Sequence, residues 1–353
     1  MAYTDIDDPS VYFQTTLYTG NGGTNAITNT GNSDLQPDWI WFKRRDGADN
    51  NILFDVVRGV TKGIYSDLTN AEDNLADSLA SFNSDGFTLG ADTGSGGSIN
   101  GNNETYASWQ WKAGTSFTND ASGTSVGSID SAGSVNTDAG FSIISYTGTG
   151  SNGTIAHGLG VVPAWIIHKR RDDDSGWVVW HKSIGTNIME LNETGAAQGG
   201  SSYINGTVPT SSVFSVGTSG DINASGGTYI AYCFAEKKGY SKFGSYVANS
   251  GGANSTFVYL GFKPAWIMVK KSSGTQSWYI GDNKRLGYNP KNENVNADTN
   301  GVEFSQDNWD VLSNGFKIKN NGAGVGTGGD TYIYMAFAEQ PFVTSTGVPA
   351  TAR

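Results

Sequence analysis

The chain has 353 residues, a formal charge of -11, 49 glycines and only 16% charged residues. That length exceeds one ordinary core and fits two or three domains, the acidity works against contact with phosphate backbones and so against nucleic-acid binding, and no apolar run is long enough to predict membrane insertion. With 10 Trp, 16 Tyr and 16 Phe there are enough large side chains to fill packed cores, which excludes general disorder.

In chain order, residues 1–10 (MAYTDIDDPS) have neither a basic start nor an apolar core, which predicts an N-terminal arm and no secretory signal. A β pattern then begins. TTLYTGNG, ending at Gly22, reads as a strand with a Gly-rich hairpin turn. PDWIWFKRR from Pro37 reads as a core strand running out into a basic loop, and ILFDVV from Ile52, DGFTLG from Asp85 and TYASWQW from Thr105 complete a first repeat over 11–114. Residues 115–139 are small and polar and predict a Gly/Ser/Thr linker.

The same order of phrases returns twice. The second repeat, 140–238, carries FSIISYTGTG ending at Gly150, PAWIIHKRR from Pro163, WVVWHKS from Trp177, SVFSVG from Ser212 and TYIAYCFAE from Thr228. The third, 239–342, carries SKFGSYVANSG ending at Gly251, PAWIMVKK from Pro264, SWYIGDNKR from Ser277, NGFKIK from Asn314 and TYIYMAFAE from Thr331, before a C-terminal tail over 343–353. Short strands, frequent turn signals and the lack of helical periodicity predict an all-β fold of three tandem antiparallel β-sandwich or jelly-roll-like domains. Units of about 100 residues bury enough surface to fold alone, so beads on a string are expected. The first copy stands apart behind its linker as the anchoring end, and the second and third form a coupled, displayed pair.

Candidate sites are each matched by a plainer structural role. Trp39 with Trp41 and Trp109 with Trp111 lie on one face of a strand and could stack on sugar rings, but apolar replacements at the matching positions of the other copies favour core packing. Trp177 and Trp309 are kept as loop aromatics able to meet a sugar. Asp172, Asp173 and Asp174 could supply oxygen ligands to calcium, although the third copy has SSGTQ there and a solvated loop is the simpler reading. His157, His168 and His181 are too scattered for a metal constellation. Cys233, the single cysteine, sits in an apolar strand and reads as a buried inert thiol. The sequon at Asn192 follows from composition. No nucleophile elbow, metal-binding helix motif, P-loop, dinucleotide fingerprint or Cys/His pair occurs in its required context. The expectation is therefore a non-enzymatic protein with no catalytic residue, no cofactor and no metal. Paired carboxylates of a glycosidase have no fixed spacing and keep a glycan-degrading reading open.

Several of these phrases, TNTG from Thr28, FNSDGFTLG from Phe82, HGLGVVPAWIIHKRR from His157, DINASGGTYIAYCFAE from Asp221 and KFGSY from Lys242, resemble a family of repeat-containing virion structural proteins of tailed phages of marine bacteria. The likeness runs from about residue 11 to 342. It implies a virion surface protein, a tail fibre or other appendage, that contributes to host-surface adhesion. Capsid decoration with a stabilising role is the alternative, and a glycan-degrading tailspike the third. The implied partners are other virion proteins, further copies in a homotrimer, and a host surface glycan or receptor. The implied location is the virion, assembled in the host cytoplasm and released by lysis.

Overall fold

The Pro-X-Trp segments carry apolar residues at successive positions, not alternate ones, so a strand built from them needs cover on both faces. The computed structural model, which describes residues 4–93, 98–249, 256–319 and 324–351, supplies that cover.

The first unit contains β1 (Phe13–Thr19), β2 (Asn25–Ile27), β3 (Trp39–Arg44), β4 (Ile52–Asp55), β5 (Lys62–Tyr65), β6 (Asp73–Asn74), β7 (Leu79–Phe82), β8 (Phe87–Leu89) and β9 (Thr105–Trp111). The second contains β10 (Thr115–Asn119), β11 (Ser131–Asn136), β12 (Phe141–Thr147), β13 (Gly153–Ala156), β14 (Trp165–Arg170), β15 (Trp177–His181), β16 (Asn187–Glu190), β17 (Gln198–Gly199), β18 (Val213–Val216) and β19 (Thr228–Phe234). The third contains β20 (Ser241–Val247), β21 (Phe257–Tyr259), β22 (Phe262–Lys271), β23 (Tyr279–Asp282), β24 (Lys291–Asn296), β25 (Phe304–Leu312), β26 (Gly315–Ile318) and β27 (Thr331–Pro341).

Each unit is an antiparallel main sheet backed by shorter strands. The main sheet runs β1-β9-β3-β4-β5-β6 in the first unit and β10-β11-β12-β19-β14-β15-β16-β17 in the second. Small sheets β2-β8-β7 and β13-β18 back these two, whereas in the third unit one eight-stranded sheet, β20-β27-β22-β23-β24-β25-β26-β21, curls round to supply both layers. An all-β fold of antiparallel sandwiches is what the strand pattern predicts.

The outer face of each main sheet packs on its own short strands. Ile40, Phe42 and Phe87 fill this space in the first unit, Ile166, Phe214 and Tyr229 in the second, and Ile267, Phe316 and Tyr332 in the third. One tyrosine pair recurs in all three: Tyr18 on Tyr106, Tyr146 on Tyr229 and Tyr246 on Tyr332, stacked with centroids 5.2, 5.1 and 5.2 Å apart.

The inner faces of all three main sheets meet in one further core. Trp39, Trp41, Trp109 and Trp111 of the first unit, Trp165, Tyr232 and Phe234 of the second and Trp266, Trp278 and Phe337 of the third belong to this single buried cluster. Ring contacts cross every boundary, with Trp39 stacked on Tyr232 at 4.6 Å, Trp165 against Trp278 at 5.9 Å and Trp111 edge-on to Trp266 at 5.6 Å. The units are thus layers around a shared interior, which corrects the expectation of independently packed beads.

The expected linker is also corrected. Residues Thr115–Asn119 and Ser131–Asn136 are β10 and β11, paired with each other and, through β11, with β12. Thr4 and Ile6 of the expected arm are buried, with Thr4 Oγ1 donating to the Lys238 carbonyl at 3.1 Å. In the tail, the Ser345 amide donates to Asp7 at 2.6 Å. The start and finish of the described chain therefore lie together.

Strand direction gives the molecule two distinct ends. β1, β3, β12, β14, β20 and β22 all run from the same end to the other, and β9, β19 and β27 run back. One end, called the junction end, holds both described termini and the connections at Lys112–Gly114 and Glu236–Tyr240. At the loop end lie the hairpin turns after β1 and β12 and the basic exits of β3, β14 and β22. Every unit contributes strands and connections to both ends.

Candidate functional site

Near the loop end the units clasp one another in cyclic order, first to second, second to third and third to first. A lysine one strand position after the apolar run is fully buried in each: Lys43, Lys169 and Lys270. Lys169 Nζ donates to Thr69 O of the first unit at 3.0 Å, and Lys270 Nζ to Thr194 O and Gly195 O of the second at 3.0 and 2.8 Å, while Lys43 Nζ holds Asp49 O of its own loop at 2.7 Å. Burial pushes all three down to about 8, because a charged ammonium loses its water there.

Beside them, Trp177 Nε1 donates to Tyr65 O and Leu68 O, Trp278 Nε1 to Glu190 O and Glu193 O, and Asn51 Nδ2 to Asn296 O and Thr299 O. Two bidentate ion pairs complete the clasp, Arg171 with Glu72 and Arg45 with Glu303. The third boundary has Ser272 and Ala197 instead, joined by the backbone bond from Ala197 N to Ser272 O that its counterparts also make.

Deeper in, Asp55 and Arg58 form a fully buried pair at 2.6 Å, and Asp282 and Arg285 form another at 2.6 Å. Each aspartate also accepts a bond from the neighbouring unit, Asp55 from Tyr232 Oη at 2.7 Å and Asp282 from Trp109 Nε1 at 3.1 Å. Burial works against the Asp282 carboxylate, but the Arg285 charge and the bonds it receives outweigh that and hold it below the usual range. His181 takes this place in the second unit, with Ile184 where the arginines stand. The neutral ring is edge-on to Trp165 and burial pushes it down to about 3.

These clasps account for most of the residues singled out from sequence. Trp39, Trp41, Trp109 and Trp111 are at most 1% exposed, so they pack the shared core and offer no sugar platform. Trp177 and Trp309 are equally buried, in β15 and β25 and not in loops. Asp172 and Asp173 pair with Arg170, and Asp174 accepts from the Ala71 amide. His157 and His168 lie apart in the second unit, pushed down by burial to about 4 and about 3. The Cys233 thiol is fully buried and pushed up. Among the described residues no group of three His, Cys, Asp or Glu side chains is placed to hold a metal ion.

What sequence reading missed are the buried asparagines that staple the loop end. Asn100 Nδ2 donates to Gly23 O and Gly90 O, and Asn223 Nδ2 to Ser151 O and Gly217 O, each at 2.6–2.7 Å. The recurring TG-X-G phrase fits the same device: Gly22 and Gly150 sit at φ of +65° and +74°, and a side chain at Gly20 or Gly148 would strike a carbonyl of the facing turn. The INGN and DINA phrases around the asparagines were the available signal.

The surface that remains open is polarised. Ten large hydrophobic side chains are exposed among the described residues, and seven of them, Val161, Val162, Val208, Tyr259, Tyr288, Phe342 and Val348, lie at the junction end. Three clefts open there. One of about 380 Å³ lies between the N-terminal segment and the third unit beside Gln14 and Lys284. One of about 470 Å³ is walled by Val161, Val162, Pro163, Val208 and Pro209, and one of about 450 Å³ by Lys242, Tyr259 and Phe342.

No helix among the described residues is long and apolar enough to cross a membrane. No curated protein and no solved structure matches the chain. One protein family does, over residues 8–341, a single match that spans all three units: the chain belongs to the family described as Domain of unknown function (DUF7483).

Proposed function

We propose that this chain is a non-catalytic structural protein of a phage particle, a tail fibre or comparable appendage, which seats on other virion proteins by its junction end and turns its loop end toward the host surface. The observation that carries the reading is the uneven distribution of exposed apolar side chains, gathered on the end that also holds both described termini. The opposite end is built from Gly, Asn, Ser and Thr turns stapled by buried asparagines, a surface suited to weak polar contacts with a glycan. Three units in cyclic order give one chain a valency of three, so the proposal does not depend on a homotrimer. The resemblance to phage repeat proteins supplies the setting.

The test is an epitope tag inserted at Gly226, in a loop-end turn, or at Gly347, in the junction-end tail, followed by immunogold labelling of intact particles. Labelling of the Gly226 tag alone, on the tail, is the expected result. Labelling confined to the capsid would transfer the protein to the decoration reading. Accessible Gly347 with masked Gly226 would reverse the proposed orientation and sink it.

A further inference from the structure

The second unit closes a seam with its own chain that the third unit leaves open. Between β12 and β13, residues 128–136 are inserted: β11 pairs along β12 from Ser131↔Tyr146 to Asn136↔Phe141, Ile129 bridges Ile155 in parallel, and Ser128 N and Ile129 N both donate to Thr154 O at 2.8 and 3.1 Å. Ser131 Oγ adds a bond to Ala156 O at 3.0 Å. In the first unit the corresponding place is filled by side chains, with Thr16 Oγ1 and Gln110 Nε2 donating to Asn29 Oδ1, each at 2.7 Å, and the Gly31 amide donating to Gln14 Oε1 at 2.8 Å.

The strands equivalent to β12 and β13 in the third unit are β20 and β21, and they are the two edges of the eight-stranded sheet. Lys242 reaches across, its Nζ donating to Tyr259 O at 2.9 Å. Phe243 N–H points away from β27 and meets Glu236 Oε1 at 3.0 Å. By the two-residue alternation of an antiparallel ladder, the N–H and C=O of Ser245 and Val247 face the seam as well. Ser145, at the place of Ser245, lies opposite Ala132 of the inserted strand. Four of the ten exposed hydrophobics flank this gap, Val247, Phe257, Tyr259 and Phe342, beside the 450 Å³ cleft. Ala156, the counterpart of Tyr259, is 2% exposed beneath its inserted strand.

We propose that the β20–β21 seam is a strand-addition site that takes an extended, small-residue, uncharged segment of a second polypeptide, antiparallel to β20, as β11 lies on β12. Main-chain bonds to Ser245 and Val247 hold the segment, and Tyr259, Phe257 and Val247 become covered. Natural edges are usually blunted by charge, bulge or cover, and here the half beyond Glu236 has none of these among the described residues. The inference stands apart from the particle reading, because it rests on the seam alone.

The probe is a fluorescein-labelled peptide of residues 131–136, SAGSVN, the uncharged strand that lies on β12, titrated into the full chain with anisotropy as readout. Saturable binding is expected, weakened about tenfold by Ser245→Pro, which removes a donor lying outside the β20–β27 ladder. Tyr259→Ser is expected to weaken binding without touching the backbone, and bound peptide should slow amide exchange at Ser245 and Val247. Circular dichroism checks that both variants are folded. No saturable binding to the unmodified chain, or undiminished binding to folded Ser245→Pro, overturns the proposal. Self-association of the chain that Ser245→Pro abolishes would assign the seam to a second copy and overturn the partner named here.

Discussion

Lys43, Lys169 and Lys270 illustrate how far one residue's role departs from its appearance in sequence. At the end of an apolar run and followed by further basic residues, each reads as the first charge of a solvated loop, yet each is sealed against a backbone carbonyl. The next residue, Arg44, Arg170 or Lys271, is the first to meet a loop acid. The ammonium groups release their protons near pH 8 in the folded chain and near 10.5 in the unfolded one. Between these values the unfolded chain binds more protons, so stability rises with pH. Each lysine contributes a slope approaching about 1.4 kcal/mol per pH unit inside that window. Urea midpoints measured at pH 7.5, 8.3 and 9, values set on the order of that window, are therefore expected to increase, and Lys43→Met to remove roughly a third of the gradient. A flat profile would mean that these amines are hydrated.

At the scale of elements, the repeated strands were legible because large apolar residues, prolines and Gly-rich turns recur in fixed order. The β10–β11 hairpin was not, since SAGSVN lacks the branched and aromatic residues that mark strands. Small size is the reason it fits: a Cβ on Gly133 would collide with the Ile143 carbonyl oxygen, so the strands approach closely only with glycine there. Gly133→Val is expected to destabilise the protein by about 1–3 kcal/mol, the usual cost of overpacking. Gly195→Ala, where an added Cβ meets nothing within 4 Å, serves as control and should be near neutral. Thermal melts of the two variants separate a packed hairpin from a tether, for which both changes would be silent.

For the whole molecule, the repeat count was readable and the arrangement was not. A strand buried on both faces looks the same in sequence whether its second face meets a private layer or a neighbouring unit. The near-continuous burial of Trp39–Lys43 and Tyr229–Phe234 held the clue, and only the contacts of Trp39 with Tyr232 and Phe234 resolve it. Because one cluster joins all three sheets, unfolding is expected as a single calorimetric transition with matching van't Hoff and calorimetric enthalpies. Three separable transitions would restore the beads. The same logic predicts that residues 239–342 made alone expose Trp266, Trp278 and Phe337 and fail to give a stable monomer.

The meeting of Asp7 with Ser345 has its own consequence. Where the first and last segments touch, covalent order and spatial order come apart: the boundary between the third and first units has no peptide connection, yet it carries both the Arg45–Glu303 pair and the Asp282–Trp109 bond. The boundary between the second and third, tied by the short stretch Glu236–Tyr240, has neither kind of charged contact at the matching places. The boundary between the first and second, continuous through Lys112–Gly114, carries both kinds, Arg171–Glu72 and Tyr232–Asp55, so the absence is particular to the second–third boundary. A circularly permuted chain, closed near the present ends and opened at Glu236–Tyr240, would keep every strand but place its break at the least charged boundary, where it should part first.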